Sequence, residues 1–294
     1  MEARVPVLDL HMHTTVSDGT DTPEAILTLV REAGIGLFSV TDHDAVESCR
    51  RILAAKKADD PEFITGVEFS CKDEEGQYHI LGYGYDPDAE AINAIVQLSH
   101  GYRMKKLLKR LAFIRERFGF AFSKEEVDTL LKTDNPGKPH IANLMVLHGY
   151  AKDRNEAIRA YLNQAHFADE YVRPEEAIRR ILLSGGIPVL AHPPFGNGDQ
   201  LILGEALEAR VNKLTAFGLQ GLEAIYSGFT DKLRGEVLSL AEKHGLYVTA
   251  GSDYHGSNKL VPLGDTGLDG TTEIPKGLTA FLQAIKERET EEKQ

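Results

Sequence analysis

A chain of 294 residues, 42% hydrophobic and 27% charged, can bury a full core, as one large domain or two small ones. Its net charge of −12 excludes a surface that grips long nucleic acid through the backbone phosphates, although bound metal ions could still attract a mononucleotide or short oligonucleotide. Two cysteines, Cys49 and Cys71, give no disulfide framework and fit a reducing compartment; with no basic-then-apolar leader and no run near the ~18 apolar residues of a membrane span, a soluble cytoplasmic protein is expected.

Residues 5–10 read as a short apolar strand, and 23–33 as a helix with Pro23 in its first turn and Gly34 past its end. Gly34-Ile35-Gly36 is that helix's stop and not a dinucleotide loop. Residues 37–40 form a second strand, followed by a helix that Asp44 is placed to cap. Strands over 63–69 and 78–85 flank a turn at 72–76. From about 88 to 169 no strand signal occurs. That stretch carries helical patterns with basic faces, as in 102–117 and 141–149, around a loop at 130–139. After Pro174 the alternation resumes: helix 175–184, strand 187–191, strand 221–225, helix 230–244 and strand 246–250. Alternation of this kind predicts a mostly parallel sheet, in a barrel or a doubly wound layer. The expected organisation is therefore a discontinuous α/β domain, residues 1–87 and 170–294, with a helical insertion or cap at 88–169. The charged residues 286–294 are expected to fray.

The chemistry begins at Asp9-Leu10-His11-Met12-His13. Alternate residues of a strand share a face, so Asp9, His11 and His13 point one way and Leu8, Leu10 and Met12 the other. Asp18 follows in the loop Ser17-Asp18-Gly19. Taken alone, this could be a surface histidine pair with a turn aspartate. The arrangement recurs, however, at other strand ends: Thr41-Asp42-His43-Asp44, Gly66-Val67-Glu68, Leu190-Ala191-His192-Pro193 and Gly251-Ser252-Asp253-Tyr254-His255-Gly256, with His79 opening the fourth strand. The carboxyl ends of parallel strands converge on one face, where active sites are built. Nine imidazoles and carboxylates without a cysteine cluster suit two to three divalent ions such as Mn²⁺, Zn²⁺ or Fe²⁺. Asp18, Glu68 and Asp253 offset that charge only in part, so the centre should attract phosphate, and a multi-metal centre is a standard arrangement for hydrolysing phosphate esters.

Together these five motifs, in this order, resemble the PHP (polymerase and histidinol phosphatase) superfamily over the chain outside the insertion. Within the insertion, Gly137-Lys138-Pro139-His140-Ile141-Ala142 is similar to the stand-alone PHP phosphoesterases that act on nucleoside 3′,5′-bisphosphates and short oligonucleotide ends. The resemblance implies a distorted (β/α)7 barrel with a helical insertion. It also implies that His11, His13, Glu68 and Asp253 hold one ion, that Glu68 bridges to a second held by His79 and His192, and that Asp18, His43 and His255 hold a third. Glu68, Asp253 and His192 would then be catalytic as well as metal-binding. The implied reaction is hydrolysis of a phosphomonoester, the 3′-phosphate of a nucleoside 3′,5′-bisphosphate, by a metal-bound hydroxide. Two departures bear on the substrate. Lys138 stands where such proteins usually carry Arg, which replaces a bidentate fork by a point charge, and Tyr226-Ser227-Gly228-Phe229 lacks a histidine that relatives often place there.

Lys138, His140 and Arg173 are the candidate phosphate-binding residues, each weighed against a solvated or helix-starting role. Lys259 is weighed in the same way as Arg173, with the solvated role favoured for both, and the remaining His100, His148, His166 and His244 read as ordinary surface or packing residues. Asp9 and Asp42 read as partners that orient ligand histidines. Two rival functions are histidinol-phosphate hydrolysis, which a long helical insertion disfavours, and a non-catalytic metal-binding module, which the complete set of ligand positions disfavours.

Overall fold

The computed structural model describes residues 7–133, 135–166, 171–196, 200–268 and 274–291. Seven strands, β1 (Leu8–Asp9), β2 (Leu37–Val40), β3 (Glu62–Asp73), β4 (Gly76–Tyr83), β5 (Ile187–Leu190), β6 (Gly221–Tyr226) and β7 (Tyr247–Gly251), hydrogen-bond in sequence order. The amide of Leu10 donates to the carbonyl of Ala250 at 3.0 Å and that of Asp253 to His11 at 2.8 Å, so the first strand's extension meets the last and the barrel nearly closes. Every residue of β2 and β5 is buried, as expected for strands covered on one side by helices and on the other by the barrel interior. The first two residues of the expected opening strand lie outside the described residues.

The sheet is less parallel than the alternation predicts. β1–β2, β2–β3, β5–β6 and β6–β7 are parallel, but β4 runs antiparallel to both neighbours. The cause is local: β3 and β4 are joined by a tight turn with no helix between them, and a parallel connection needs a crossover of a dozen residues or more. The hairpin is longer than expected: β3 continues to Asp73 and β4 already begins at Gly76. Glu68 and His79 therefore sit within β3 and β4 instead of at a terminus, and His79 pairs with Ser70 in the ladder. Because β4 is reversed, its opening residues lie at the mouth where the parallel strands finish.

Helices α1 (Pro23–Glu32) and α2 (Glu47–Ala55) cover the first strands. Thr22 caps α1 by accepting the Ala25 amide at 3.2 Å, and Ile26, Leu27 and Val30 form the stripe that packs with Met12, Phe38, Val40 and Ile52. Asp44 does not cap α2, which begins after Val46 with no side-chain cap. Asp44 instead accepts the Ser70 amide at 3.1 Å and the Arg103 Nε–H at 2.6 Å.

The described residues of the stretch 88–169 carry helices and turns and no named strand. A single helix, α3 (Glu90–Phe118), spans about 44 Å at 1.5 Å per residue. Its first turns place Ile92 and Ile95 in the barrel core, whereas Leu107 and Ile114 join a separate apolar cluster with Leu130, Ile141, Met145 and Leu162. The two cores thus divide inside α3 and not at residue 88. Next come α4 (Lys124–Lys132), α5 (Lys138–Leu147) and α6 (Arg154–Glu156), the last continued by a π turn (Ala157–Tyr161) and a 3₁₀ turn (Leu162–Gln164). The expected loop at 130–139 is shorter, because α4 ends at Lys132 and Lys138-Pro139 already opens α5. The barrel resumes with α7 (Pro174–Leu183), α8 (Gly204–Ala216), α9 (Asp231–His244) and α10 (Lys276–Glu291). α10 stays helical through residues expected to fray. Its Leu278, Phe281 and Ile285 are buried, and Phe281 meets Tyr83 edge-on at 5.4 Å. Each such side chain contributes on the order of 1.5–3 kcal/mol.

Candidate metal centre

The alternation of the opening segment delivers His11 and His13 together into the barrel mouth, both fully buried. Their Nε2 atoms lie 3.2 Å apart. Glu68 Oε2 stands 3.4 Å from His11 Nε2, 3.2 Å from His13 Nε2 and 3.1 Å from His43 Nδ1. Its other oxygen faces His79 Nδ1 at 2.8 Å and His192 Nε2 at 3.3 Å. Asp253 Oδ1 approaches His11, His13 and His255 at 3.6, 3.3 and 3.4 Å, and Asp18 Oδ1 approaches His255 Nε2 at 3.3 Å. All nine residues singled out in the sequence converge on one mouth. Two of them, His192 and Asp253, and Asp44 next to His43 have positive φ, at 28°, 59° and 52°, a region that costs a non-glycine residue about 1–3 kcal/mol and that clusters at functional sites.

The donors fit divalent ions. His13, Asp18, His43 and His255 form one set whose ligand atoms lie within 4.8 Å of one another; His11, His13 and Asp253 form a second, and His43, Glu68 and His79 a third. Nδ1 of His43 and His79 is buried and makes no well-aligned hydrogen bond even though Glu68 lies 3.1 and 2.8 Å away, a cost that coordination would remove. The geometry groups the donors slightly differently from the family pattern, since His43 stands between the Asp18 and Glu68 sets. Purified protein is expected to carry two to three transition-metal ions per chain. Elemental analysis that finds less than one ion after reconstitution with Mn²⁺ or Zn²⁺ would rule the centre out.

The electrostatics follow from burying this many charges together. Burial disfavours the Glu68, Asp18 and Asp253 anions, yet the surrounding imidazoles, and Lys259 beside Asp253, hold all three carboxyls well below their ordinary range. Burial likewise lowers His13, but its hydrogen bonds to Asp253 and Glu68 outweigh that and lift it to about 9. His43, less favourably placed, is pushed down by burial to about 3. Protons and divalent ions therefore compete for the same imidazoles, and His43 is the more readily ligating of the two.

The supporting residues differ from those expected. Asp9 touches no imidazole; it accepts from the amides of Ser252 at 2.9 Å and Gly264 at 2.9 Å and from the Ser252 hydroxyl, anchoring the loop that carries Asp253. Asp42 accepts the Thr14 amide and hydroxyl at 2.8 and 2.6 Å and the Ser17 hydroxyl at 2.5 Å, and only through Ser17 does it reach His13 Nδ1, at 3.4 Å. The carboxylate that orients a candidate ligand directly is Glu223, at 2.8 Å from His11 Nδ1. Its only sequence signal is a lone acid inside the apolar strand Gly221-Leu222-Glu223-Ala224-Ile225. Lys259 is no ordinary surface lysine: with the Tyr226 hydroxyl at 2.9 Å it engages Asp253 Oδ2.

Beside the nine residues lies a cavity of about 210 Å³, lined on one wall by Asp18, His43 and His79 and on the other by Arg103, Lys106, Arg110 and Lys138. Arg103, Lys106 and Arg110 recur at i, i+3 and i+7 and so share one face of α3. Lys106 and Arg110 are buried, unlike solvated cations. Lys106 Nζ sits 3.4 Å over the Tyr171 ring, and Lys138 Nζ donates to Asn163 at 2.7 Å. His140 turns back, accepting the Gly137 amide on Nδ1 at 3.1 Å, and serves the start of α5. Arg173 is a correction to the sequence reading: it is exposed, forks onto Glu74 at 2.8 and 2.9 Å and does not line the cavity, because the long β3–β4 hairpin carries an acid out to meet it.

Comparison with known proteins is consistent with this geometry. The family model described as PHP domain matches residues 9–182. A 3′,5′-nucleoside bisphosphate phosphatase of Chromobacterium violaceum is 29% identical over 91% of this chain and 92% of its own length. A 5′-3′ exoribonuclease of Haemophilus influenzae is 27% identical over 84% and 89%. Among solved structures, an amidohydrolase from Chromobacterium violaceum with bound sulfate superposes with a TM-score of 0.80 at 26% identity, covering 96% of both chains.

Proposed function

The chain belongs to the PHP domain family, whose model matches more than half of it, and from that premise we propose that this metal-dependent phosphoesterase removes a terminal phosphate from a small nucleotide. The substrate favoured is a nucleoside 3′,5′-bisphosphate, losing its 3′-phosphate, with short oligonucleotide ends as related substrates. One observation carries this reading: four cations face the candidate metal ligands across a single small cavity, in a chain whose net charge is −12. Such local concentration of positive charge suits a second anionic group a short distance from the scissile phosphate.

Divalent ions, when bound, polarise phosphoryl oxygens and provide a nucleophile at neutral pH. His11, His13, Glu68 and Asp253 would hold one of them, with Glu68 shared toward His79 and His192 and with Asp18, His43 and His255 completing the set. Tyr226 and Lys259 hold Asp253 Oδ2, which leaves Oδ1 turned to the imidazoles. Arg103, Lys106, Arg110 and Lys138 form the wall that would position the second phosphate.

The names of the relatives agree at the level of phosphate-ester hydrolysis and diverge on substrate, from a nucleoside bisphosphate to an RNA end. Phosphate release from a panel of nucleoside bisphosphates, monophosphates, histidinol phosphate and 5′-phosphorylated oligonucleotides discriminates among them. Lys138→Ala should raise KM for the bisphosphate roughly 10- to 150-fold, the loss of a charge-assisted contact of about 1.5–3 kcal/mol, and leave KM for a monophosphate nearly unchanged. Equal losses on both substrates would place Lys138 at the scissile phosphate, and no loss on either would remove it from substrate binding.

A further inference from the structure

Glu223 lies in β6, in the middle of a strand that is otherwise apolar, and is fully buried. Its two oxygens have separate tasks. Oε1 meets His11 Nδ1 at 2.8 Å, and Oε2 accepts the backbone amide of His192 at 2.8 Å. A carboxylate oxygen facing a ring nitrogen at that distance can only accept, so Nδ1 of His11 carries a proton and Nε2 is the nitrogen left to coordinate an ion in the mouth, where Glu68 and Asp253 stand 3.4 and 3.6 Å away. The second contact pins the residue with the smallest positive φ of the chain's described non-glycine residues, His192 at 28°. The amide of His192 is thereby satisfied in a conformation that its side chain disfavours. Gly251 makes room for both: a Cβ there would lie 2.2 Å from the His11 Cβ and 2.5 Å from Glu223 Oε1.

We propose that Glu223 is a positioning residue that holds two candidate ligands at once, the side chain of His11 in its Nδ1–H tautomer and the backbone of His192, and so ties the two halves of the metal centre together from behind. The inference rests on the reading of His11 and His192 as metal ligands. Of the nine converging residues, these two face different oxygens of Glu68, so one buried carboxylate on β6 sets the spacing across the candidate bridge.

Glu223→Gln separates this role from simple packing, because it keeps the shape and removes one acceptor. If the glutamine oxygen accepts the His192 amide, its NH₂ faces His11 Nδ1 and drives the proton to Nε2, where it blocks coordination. If the amide is reversed, two donors oppose each other at His192. Either arrangement costs a ligand. Titration of the metal-free protein with Zn²⁺ should show wild type binding two or more ions and Glu223→Gln binding at least one of them about 10- to 100-fold more weakly, the usual effect of losing such a partner. Unchanged stoichiometry and affinity in a folded variant would overturn the proposal. A wild type that takes up no zinc would instead overturn the metal-centre reading beneath it. Should the variant not fold, the wild-type zinc protein decides the matter by long-range ¹H–¹⁵N correlation of its histidine rings. A protonated Nδ1 and an unprotonated Nε2 on His11 support the assignment, and a proton on Nε2 refutes it.

Discussion

Glu68→Gln is expected to lower phosphatase turnover roughly a thousandfold in metal-replete protein, since the several kcal/mol of charge stabilisation that a bound ion supplies translate into tenfold per about 1.4 kcal/mol. Among the described residues, Glu68 is the carboxylate whose two oxygens face different imidazole groups: His11, His13 and His43 on one side, His79 and His192 on the other. Glutamine retains its volume within β3 but cannot offer two anionic oxygens. The fold should survive, because the substitution is isosteric and an excess of buried positive charge arises only when metal is loaded. Steady-state kinetics with metal content measured on the same samples test this. Near-normal turnover in a variant with a full complement of ions would show that Glu68 does not bridge them.

Arg103→Ala is expected to destabilise the protein by about 3–5 kcal/mol, the usual cost of leaving one partner of a buried ion pair uncompensated. Asp44 is 2% exposed, has left-handed backbone geometry, and takes hydrogen bonds from Ser70 on the barrel and Arg103 on α3, so the pair ties α3 to the barrel next to the candidate centre. Burial alone would raise the Asp44 carboxyl, but the Arg103 charge overrides it and holds the group below the ordinary aspartate range. A depressed folded value means that the stabilisation is complete above the ordinary aspartate pKa and disappears as pH falls through the folded value. Urea unfolding midpoints should therefore differ most between wild type and variant near neutral pH and converge in acid. A difference that stays constant with pH would assign the loss to packing of the Arg103 stem.

The candidate centre was legible in the sequence because its members are placed by local rules. A period of two puts Asp9, His11 and His13 on one side of an extended chain, and the ends of successive βα units point to a common rim wherever they lie in the sequence. Positions 43, 68, 192, 253 and 255 could thus be gathered without knowing a single contact. The insertion was equally visible as a long stretch without strand signal, and the basic spacing 103, 106, 110 was present in it.

What only the tertiary structure decided are the pairings between elements remote along the chain. Glu223 finds His11 across 212 residues, a meeting that depends on the closure of β7 against the β1 extension and that no periodicity encodes. Asp9 faces inward as the alternation demands, but its partners are amides at Ser252 and Gly264 rather than an imidazole, because the closing loop arrives there first. Arg173 looks like a phosphate fork in isolation and becomes a surface ion pair once the β3–β4 hairpin extends to Glu74. β4 is reversed because its turn is too short for a crossover, and this brings His79, inside the first half of the strand, to the mouth. Pattern along the chain assigns each side chain to a face; which neighbour occupies the opposite face is set by packing, where a hydrogen bond to a buried charge outweighs any local preference.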